Sequence, residues 1–330
     1  MGTRENTMPM QTRAADQPRP REAVATVVSR TMLARDVVSL TLALPDGTRW
    51  PWRAGDHIDV EVPGGPIRQY SLCGPVEDTS RLTIAVLLEA RSRGGSSYLH
   101  AVTEGEPVHV RGPRNNFPLV PADAYRFVAG GIGITPILAM IREAETHDTP
   151  WTLLYGGRSR DSMAFLDELL RYGDRVRVVA EDEQGRPPLD EWLADPAPAA
   201  LVYCCGPAGL LDAVERRCET WPRGSLHVER FTPRDVETPV LEEPFEVELA
   251  RTGTSVVVEP GTSILEAVAR AGVPMLSSCQ EGTCGTCETA VLAGIPEHRD
   301  SVLDDDEQAA NDCMMICVSR SRTPRLVLDL

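Results

Sequence analysis

Five of the nine cysteines in this sequence fall between Cys279 and Cys317. Cys279, Cys284 and Cys287 form a C-x4-C-x2-C run, and Cys317 follows after 29 residues. This is the plant-type spacing for a 2Fe–2S cluster, in which four thiolates hold two irons. A short loop that presents three sulfurs needs backbone conformations open to glycine. Gly282 and Gly285 supply them and let N–H groups approach the sulfurs. A bare C-x2-C would favour structural zinc; the full spacing with its internal glycines points to iron–sulfur. Cys313 competes for the fourth position. Cys317 is the expected ligand because it lies in the apolar run Met314–Val318, suited to a buried ligand strand, and Cys313 is expected to be a bystander.

A second group of residues suits flavin and nucleotide chemistry. Arg68-Gln69-Tyr70-Ser71 offers a planar guanidinium for a phosphate, a ring for an isoalloxazine face and a small hydroxyl. Gly94-Gly95-Ser96-Ser97 offers backbone N–H groups and hydroxyls that could cradle a phosphate. Each is weak alone: the first could be a strand end, the second a flexible loop. Gly130-Gly131-Ile132-Gly133-Ile134-Thr135-Pro136 follows a strand-like run and opens a helical one, where glycines and a helix N-terminus suit a pyrophosphate. It is not the G-x-G-x-x-G fingerprint. Cys204-Cys205-Gly206-Pro207 also follows a buried strand and could flank a nicotinamide. Arg158 and Arg160 follow the next strand of that region, near an adenosine ribose. Two guanidiniums there could clamp a 2′-phosphate and favour NADPH.

Three kinds of segment must position these groups. Residues 23–118 alternate apolar and polar residues between frequent turns, as in an antiparallel β-barrel. Residues 119–231 alternate strand-like runs with helical ones, among them Ile137–Glu145 and Phe165–Tyr172, which predicts a parallel α/β sheet. Residues 232–244, rich in Pro and Glu, read as a linker. Residues 245–330 open with two strands and a helix over Ser263–Ala271, capped by Thr262 or Ser263. The chain is thus multidomain, with an antiparallel β-barrel, an α/β parallel-sheet domain and an α+β cysteine domain.

Composition limits the partners. The net charge is −16, and all 33 basic residues are Arg. That balance argues against general affinity for nucleic acid or an anionic membrane. No apolar run approaches the roughly 18 residues needed to span a bilayer. Residues 1–22 have no apolar h-region and read as a disordered tail. A cytoplasmic monomer is the expectation, and clustered cysteines in that compartment favour redox or metal chemistry over disulfides.

Taken in order, R-x-Y-S, G-G-I-G-I-T-P, C-G-P and the cysteine spacing resemble the phthalate dioxygenase reductase family, over about residues 23–330. The N-terminal two-thirds is similar to the wider ferredoxin–NADP reductase superfamily. The resemblance implies FMN, NADH in preference to NADPH, and a plant-type 2Fe–2S ferredoxin domain of β-grasp form. It implies that Arg68, Tyr70 and Ser71 contact the flavin, with Gly95 and Ser96 near its phosphate. It places Gly131, Ile132, Thr135, Cys205, Gly206 and Pro207 on the nicotinamide nucleotide and Phe231 against the flavin. The electron acceptor it implies is a Rieske-type terminal oxygenase or O-demethylase, with a cytochrome P450 as alternative. A redox sensor with vestigial nucleotide motifs is the remaining rival.

Overall fold

The computed structural model describes residues 21–330 apart from 91, 93, 197, 198, 235–238 and 242. Most of the N-terminal tail, residues 1–20, therefore lies outside the described residues. The chain forms two compact units, one comprising Arg21–Pro233 and the other including Arg234–Leu330.

The first unit begins with six strands: β1 (Arg21–Ala34), β2 (Val37–Ala43), β3 (Asp56–Glu61), β4 (Ile67–Ser71), β5 (Arg81–Leu87) and β6 (Pro107–Asn115). They lie in the order β4-β3-β6-β1-β2-β5, every neighbouring pair antiparallel. The period-2 patterning explains this. Val38, Leu40 and Leu42 of β2 are fully buried, while Ser39, Thr41 and Ala43 between and beyond them are only partly so. An antiparallel bridge from Leu72 to Ile84 joins the two edge strands into a barrel. The short helix α1 (Gly95–Ala101) follows β5.

The same unit continues into a five-stranded parallel sheet of β7 (Ala124–Gly130), β8 (Trp151–Gly157), β9 (Val176–Ala180), β10 (Ala200–Cys205) and β11 (Leu226–Glu229), in the order β11-β10-β7-β8-β9. Its helices are α2 (Ile134–Thr146), α3 (Leu166–Leu169), α4 (Glu181–Gln184), α5 (Leu189–Trp192) and α6 (Ala208–Cys218). Strands buried on both faces read as continuous apolar runs, and β10 (ALVYCC) is one. Its alternate residues serve different cores. Tyr203 and Cys205 join the core shared with the barrel, whereas Val202 and Cys204 face a second core with Leu211 and Val214 of α6. The helix expected over Phe165–Tyr172 is only the four-residue α3, followed by a 3-10 segment over Leu170–Arg175. Phe165, with φ 62°, starts the helix in a left-handed pose, and Gly173 leaves helical geometry at φ 61°.

The second unit holds β12 (Phe245–Leu249), β13 (Thr254–Val258), β14 (Glu288–Ala293), β16 (Cys313–Met315) and β18 (Arg325–Leu328) in the order β13-β12-β18-β14-β16. The β12–β18 pair is parallel and the other pairs antiparallel. β15 (Pro296–Glu297) and β17 (Arg320–Ser321) form a separate pair. Helix α7 (Ile264–Arg270) packs Ile264 and Val268 into the core with Val247 and Leu249. Burying each such side chain contributes about 1.5–3 kcal/mol. Ser263 caps α7 by accepting from the Glu266 N–H at 3.1 Å. The last helix, α8 (Asp305–Ala310), is capped by Asp304 and Glu307 in a reciprocal box. Within the stretch read as a linker, Arg234 N–H donates to Ser301 Oγ at 3.1 Å and Val240 N–H to the Glu297 carboxylate.

Candidate functional site

In the second unit four sulfurs converge. Cys279, Cys284, Cys287 and Cys317 are all buried. The Cys279 thiol is within hydrogen-bond reach of those of Cys284 and Cys317, and Cys317 also reaches Cys287. Gln280, Gly282 and Gly285 take positive φ values of 57°, 71° and 70°, which wraps the loop around the sulfurs. Glu281 N–H and Thr283 N–H then point at Cys279 Sγ from 3.3 and 3.5 Å, and Cys279 N–H points at Cys284 Sγ from 3.5 Å. A Cβ on Gly282 would meet Val318 Cγ2 at 2.6 Å.

Hydrogen bonds from Cys284 and Cys317 push the Cys279 thiol down to about 2, and the same interactions push those two partners far up. Four buried sulfurs can all ionise only with cationic charge among them. A thiolate set with N–H groups aimed at it fits a 2Fe–2S centre. Cys313 lies elsewhere: it opens β16 opposite Ala290, and burial raises its thiol. The strand anticipated through Met314–Val318 stops at Met315, and Cys317 sits in the turn beyond it.

In the first unit the flavin-type residues lie on β4, an edge strand, followed by the turn through Cys73 and Gly74. Arg68 and Tyr70 share a face, and Gly95 of α1 packs against both. A Cβ there would meet Arg68 Cγ at 2.7 Å and Tyr70 Oη at 2.9 Å. The two motifs, separate in sequence, therefore form one surface. The Arg68 guanidinium donates to Ile67 O at 2.9 Å and has no carboxylate partner among the described residues, which suits it to an anionic group. Burial pushes the Tyr70 hydroxyl up to about 12. Gly94 caps α1 at φ 104°. Ser92, overlooked in the sequence reading, organises this loop. Its Oγ accepts from Gly94 N–H at 3.2 Å, Ser97 N–H at 3.3 Å and Ser96 Oγ at 3.0 Å.

The nucleotide loops meet where the strand order reverses. β7 is followed by β8 and β9 on one side, while β10 returns to its other side, so the loops after β7 and β10 flank the crevice in which open α/β sheets bind ligands. Glycine is required for this approach. A Cβ on Gly133 would lie 2.3 Å from Cys205 O, and one on Gly206 would lie 3.0 Å from Gly130 Cα. Gly131 turns at φ 54°, and Thr135 Oγ1 donates to Ile132 O at 3.0 Å. Pro136 fits the first turn of α2, where no N–H is needed. Pro207 packs against Gly130 and leads into α6.

Cys205 ends β10 beside Glu229, the last residue of β11, and its Sγ donates to Glu229 Oε2 at 3.8 Å. Burial pushes the Glu229 carboxyl up to about 8 and holds the Cys205 thiol well above its ordinary range. Burial thus favours the protonated form of both. Glu229 was not among the expected site residues. Its signal was a carboxylate inside the otherwise strand-like run Leu226–Glu229, at the carboxyl end of the last parallel strand. Arg230 is buried and pairs with Asp212 and Glu215 of α6, and Phe231 follows it 42% exposed. Arg158 and Arg160 are exposed beyond β8. Ser159 between them is engaged elsewhere, accepting from Arg35 of the barrel at 3.0 Å and capping the next turn.

A flavin-type strand, a nucleotide crevice at a topological switch and a buried four-sulfur loop define an electron-transfer oxidoreductase. Residues 127–216 match the oxidoreductase NAD-binding domain family, and residues 247–322 match the 2Fe-2S iron-sulfur cluster binding domain family. Over the whole chain, phenoxybenzoate dioxygenase subunit beta of Ectopseudomonas oleovorans is 46% identical, covering 90% of this chain and 94% of that protein. Phthalate dioxygenase reductase of Burkholderia cepacia is 40% identical over 92% and 96%. Among solved structures, a phthalate dioxygenase reductase is 38% identical with a TM-score of 0.68, covering 94% of this chain and 98% of that one. An intact type IV self-sufficient cytochrome P450 monooxygenase is 42% identical with a TM-score of 0.88. The match covers 94% of this chain and 41% of that one. The chain belongs to the phthalate dioxygenase reductase family. Its fold is the three-part arrangement expected, and its cofactors are FMN, NADH and a 2Fe–2S cluster. Among the described residues no helix is long and apolar enough to cross a membrane.

Proposed function

We propose that this chain is the reductase of an oxygenase system, delivering electrons from NADH to a Rieske-type terminal oxygenase. The observation that carries this reading is the co-occurrence of the Gly95–Arg68–Tyr70 surface, the Gly130–Gly206 crevice and the four-sulfur loop in one chain. A bound FMN supplies the conversion between a two-electron hydride and the single electrons that an iron–sulfur centre accepts. Arg68 and the 94–97 loop hold the flavin phosphate, and Tyr70 and Ser71 orient the ring. The 130–136 loop and Gly206-Pro207 hold the nucleotide. Cys205 and Glu229, hydrogen-bonded to each other, line the nicotinamide end, and Phe231 covers the flavin. Cys279, Cys284, Cys287 and Cys317 hold the cluster. No side chain need move a proton to the reacting carbon.

The exposed Arg158 and Arg160 could suit NADPH, and steady-state kinetics with both nucleotides checks the choice. NADH is expected to give the larger kcat/KM. A cytochrome P450 acceptor is the second reading, favoured by the likeness to the self-sufficient P450. Electron transfer to each class of acceptor separates the two. The module 245–330 carries fourteen acidic and six basic residues, half of the chain's net charge of −16, densest at Asp304–Glu307. A field of that sign would steer a partner with a positive patch. Stopped-flow reduction of the acceptor is expected to slow as salt rises, because screening sets in over about 10 Å at 0.1 M. A flat response would exclude electrostatic steering.

A further inference from the structure

Arg142 uses its whole guanidinium to join three elements of the first unit. From α2 its Nη1 donates to Cys73 O at 2.5 Å and Gly74 O at 3.1 Å, the carbonyls just beyond β4. Its Nε and Nη2 meet the Glu168 carboxylate of α3 at 2.7–2.9 Å, a bidentate pair. The next residue, Glu143, accepts from Ala54 N–H of the barrel at 3.2 Å, and Asn115 Nδ2 donates to Ala54 O at 2.9 Å.

The same helix reaches both sites. Its first turn follows directly from the glycine loop of the nucleotide crevice, and Arg142 lies eight residues further on, about 12 Å along the axis. The carbonyls it grips belong to the turn that leaves the flavin strand two residues after Ser71. Helix α2 is thus a strut between the nucleotide loop and the flavin strand, fastened to the turn beyond that strand by Arg142 and to the barrel at Ala54 by Glu143. The Gly74 side of the turn is held as well. Cys73 N–H donates to Thr83 O at 2.9 Å, and a Cβ on Gly74 would meet Thr83 at 2.9 Å.

We propose that Arg142 is a positioning residue for hydride transfer, setting the separation of the nucleotide and flavin sites, with Glu168 locking it in that pose. This rests on the assignment of the β4 residues to the flavin given above. Hydride transfer depends steeply on approach, so a misplacement of about 1 Å can cost on the order of 100-fold in rate without changing either binding site. Lysine could reach one carbonyl but could not span two carbonyls and a carboxylate, because it presents a single ammonium.

The experiment uses the full-length protein loaded with FMN and cluster. Anaerobic stopped-flow mixing with NADH gives a limiting rate of flavin bleaching and, from its concentration dependence, an apparent NADH affinity. Arg142→Met should lower the limiting rate by about 10- to 100-fold and change the affinity by less than about threefold. Arg142→Lys should recover part of the rate, and Glu168→Gln should lower it by about threefold. A second readout is the long-wavelength absorbance formed when NAD+ is added to the dithionite-reduced protein, which reports ring-on-ring approach. It should weaken in the same order. A wild-type limiting rate and band in Arg142→Met, or a loss confined to NADH affinity, would overturn the proposal. If Arg142→Met does not fold or retain FMN, the other two variants decide, and wild-type values in both would overturn it equally. Wild-type protein that fails to bind FMN or bleach with NADH would instead overturn the functional reading.

Discussion

In the iron–sulfur unit, three of the four converging sulfurs lie within nine residues, Cys279 to Cys287. In the flavin–nucleotide unit the site is drawn from Arg68, Gly95, Gly133, Gly206 and Glu229, spread over half the chain and two sheets. The first site is made of side-chain donors, three on one loop and the fourth in the turn after β16. The second is made chiefly of backbone that must come close, which is why its key residues are glycines whose added Cβ would strike a carbonyl or a neighbouring Cα. A donor set fails when one atom is removed, and a close approach fails when one atom is added.

The largest effect should follow removal of a donor. Cys284→Ser is expected to abolish the visible absorption of the cluster and electron transfer beyond it. NADH-to-ferricyanide activity through the flavin should stay within about twofold of wild type, because Cys284 lies in a separate compact unit. Loss of flavin reduction as well would mean that the two sites are not separable. Adding an atom tests the other side of the comparison. Gly133→Ala puts a methyl 2.3 Å from Cys205 O. The overpacking costs about 1–3 kcal/mol, or roughly 5- to 150-fold if it falls on nucleotide binding. KM for NADH should rise, with iron and sulfide content unchanged.

The two sites also differed in how far the sequence disclosed them. The cysteine spacing names its own partners because ligand chemistry demands particular side chains at particular intervals. The crevice was half legible. Its glycine loops stood out, and the strand–helix alternation implied a parallel sheet, but nothing local said that Gly206 would meet Gly130, since that contact depends on strand order. Glu229 escaped notice because one carboxylate in a strand-like run looks like an outward-facing residue until β10 is seen beside it. Ser92 escaped because its role lies in which donors the loop turns towards it. The helix expected over Phe165–Tyr172 is present as one α turn that tightens to 3-10 at Leu170, and Gly173, at φ 61°, leaves helical geometry just beyond it.

Glu229 gives a subtler contrast, a change of charge without a change of size. Its folded pKa of about 8 lies above its ordinary value of 4.5, because burial disfavours the carboxylate. The folded protein therefore binds a proton that the unfolded chain has released between those limits. The Glu229 contribution to stability is fully present below about pH 4.5 and is lost as pH rises to about 8. The rate of flavin reduction by NADH should change near pH 8, where a negative charge appears beside Cys205. Glu229→Gln keeps the shape and cannot ionise. It is expected to flatten the alkaline limb of the pH–rate profile and this part of the pH–stability curve; a variant with the wild-type limb would remove Glu229 from the nicotinamide end.

The smallest expected effect is at Cys313, and it sharpens the claim that position, not cysteine content, defines the metal centre. Cys313 and Cys317 are both buried, four residues apart, and attached to the same strand. Yet Cys313 pairs in register with Ala290 within the sheet, while Cys317 lies past the strand end in a turn, where its sulfur reaches Cys279 and Cys287. The turn is held independently of either thiol, by Ile316 N–H on Cys287 O at 3.4 Å and Ser319 N–H on Met315 O at 2.9 Å. Cys313→Ser should therefore retain cluster absorption, iron content and electron transfer. Its cost should be only that of a polar hydroxyl in a buried position, about 1–3 kcal/mol in a thermal melt. Cys317→Ser, a change of the same size in the same segment, should lose the cluster. Bleaching in the Cys313 variant with retention in the Cys317 variant would reverse the assignment of the fourth ligand.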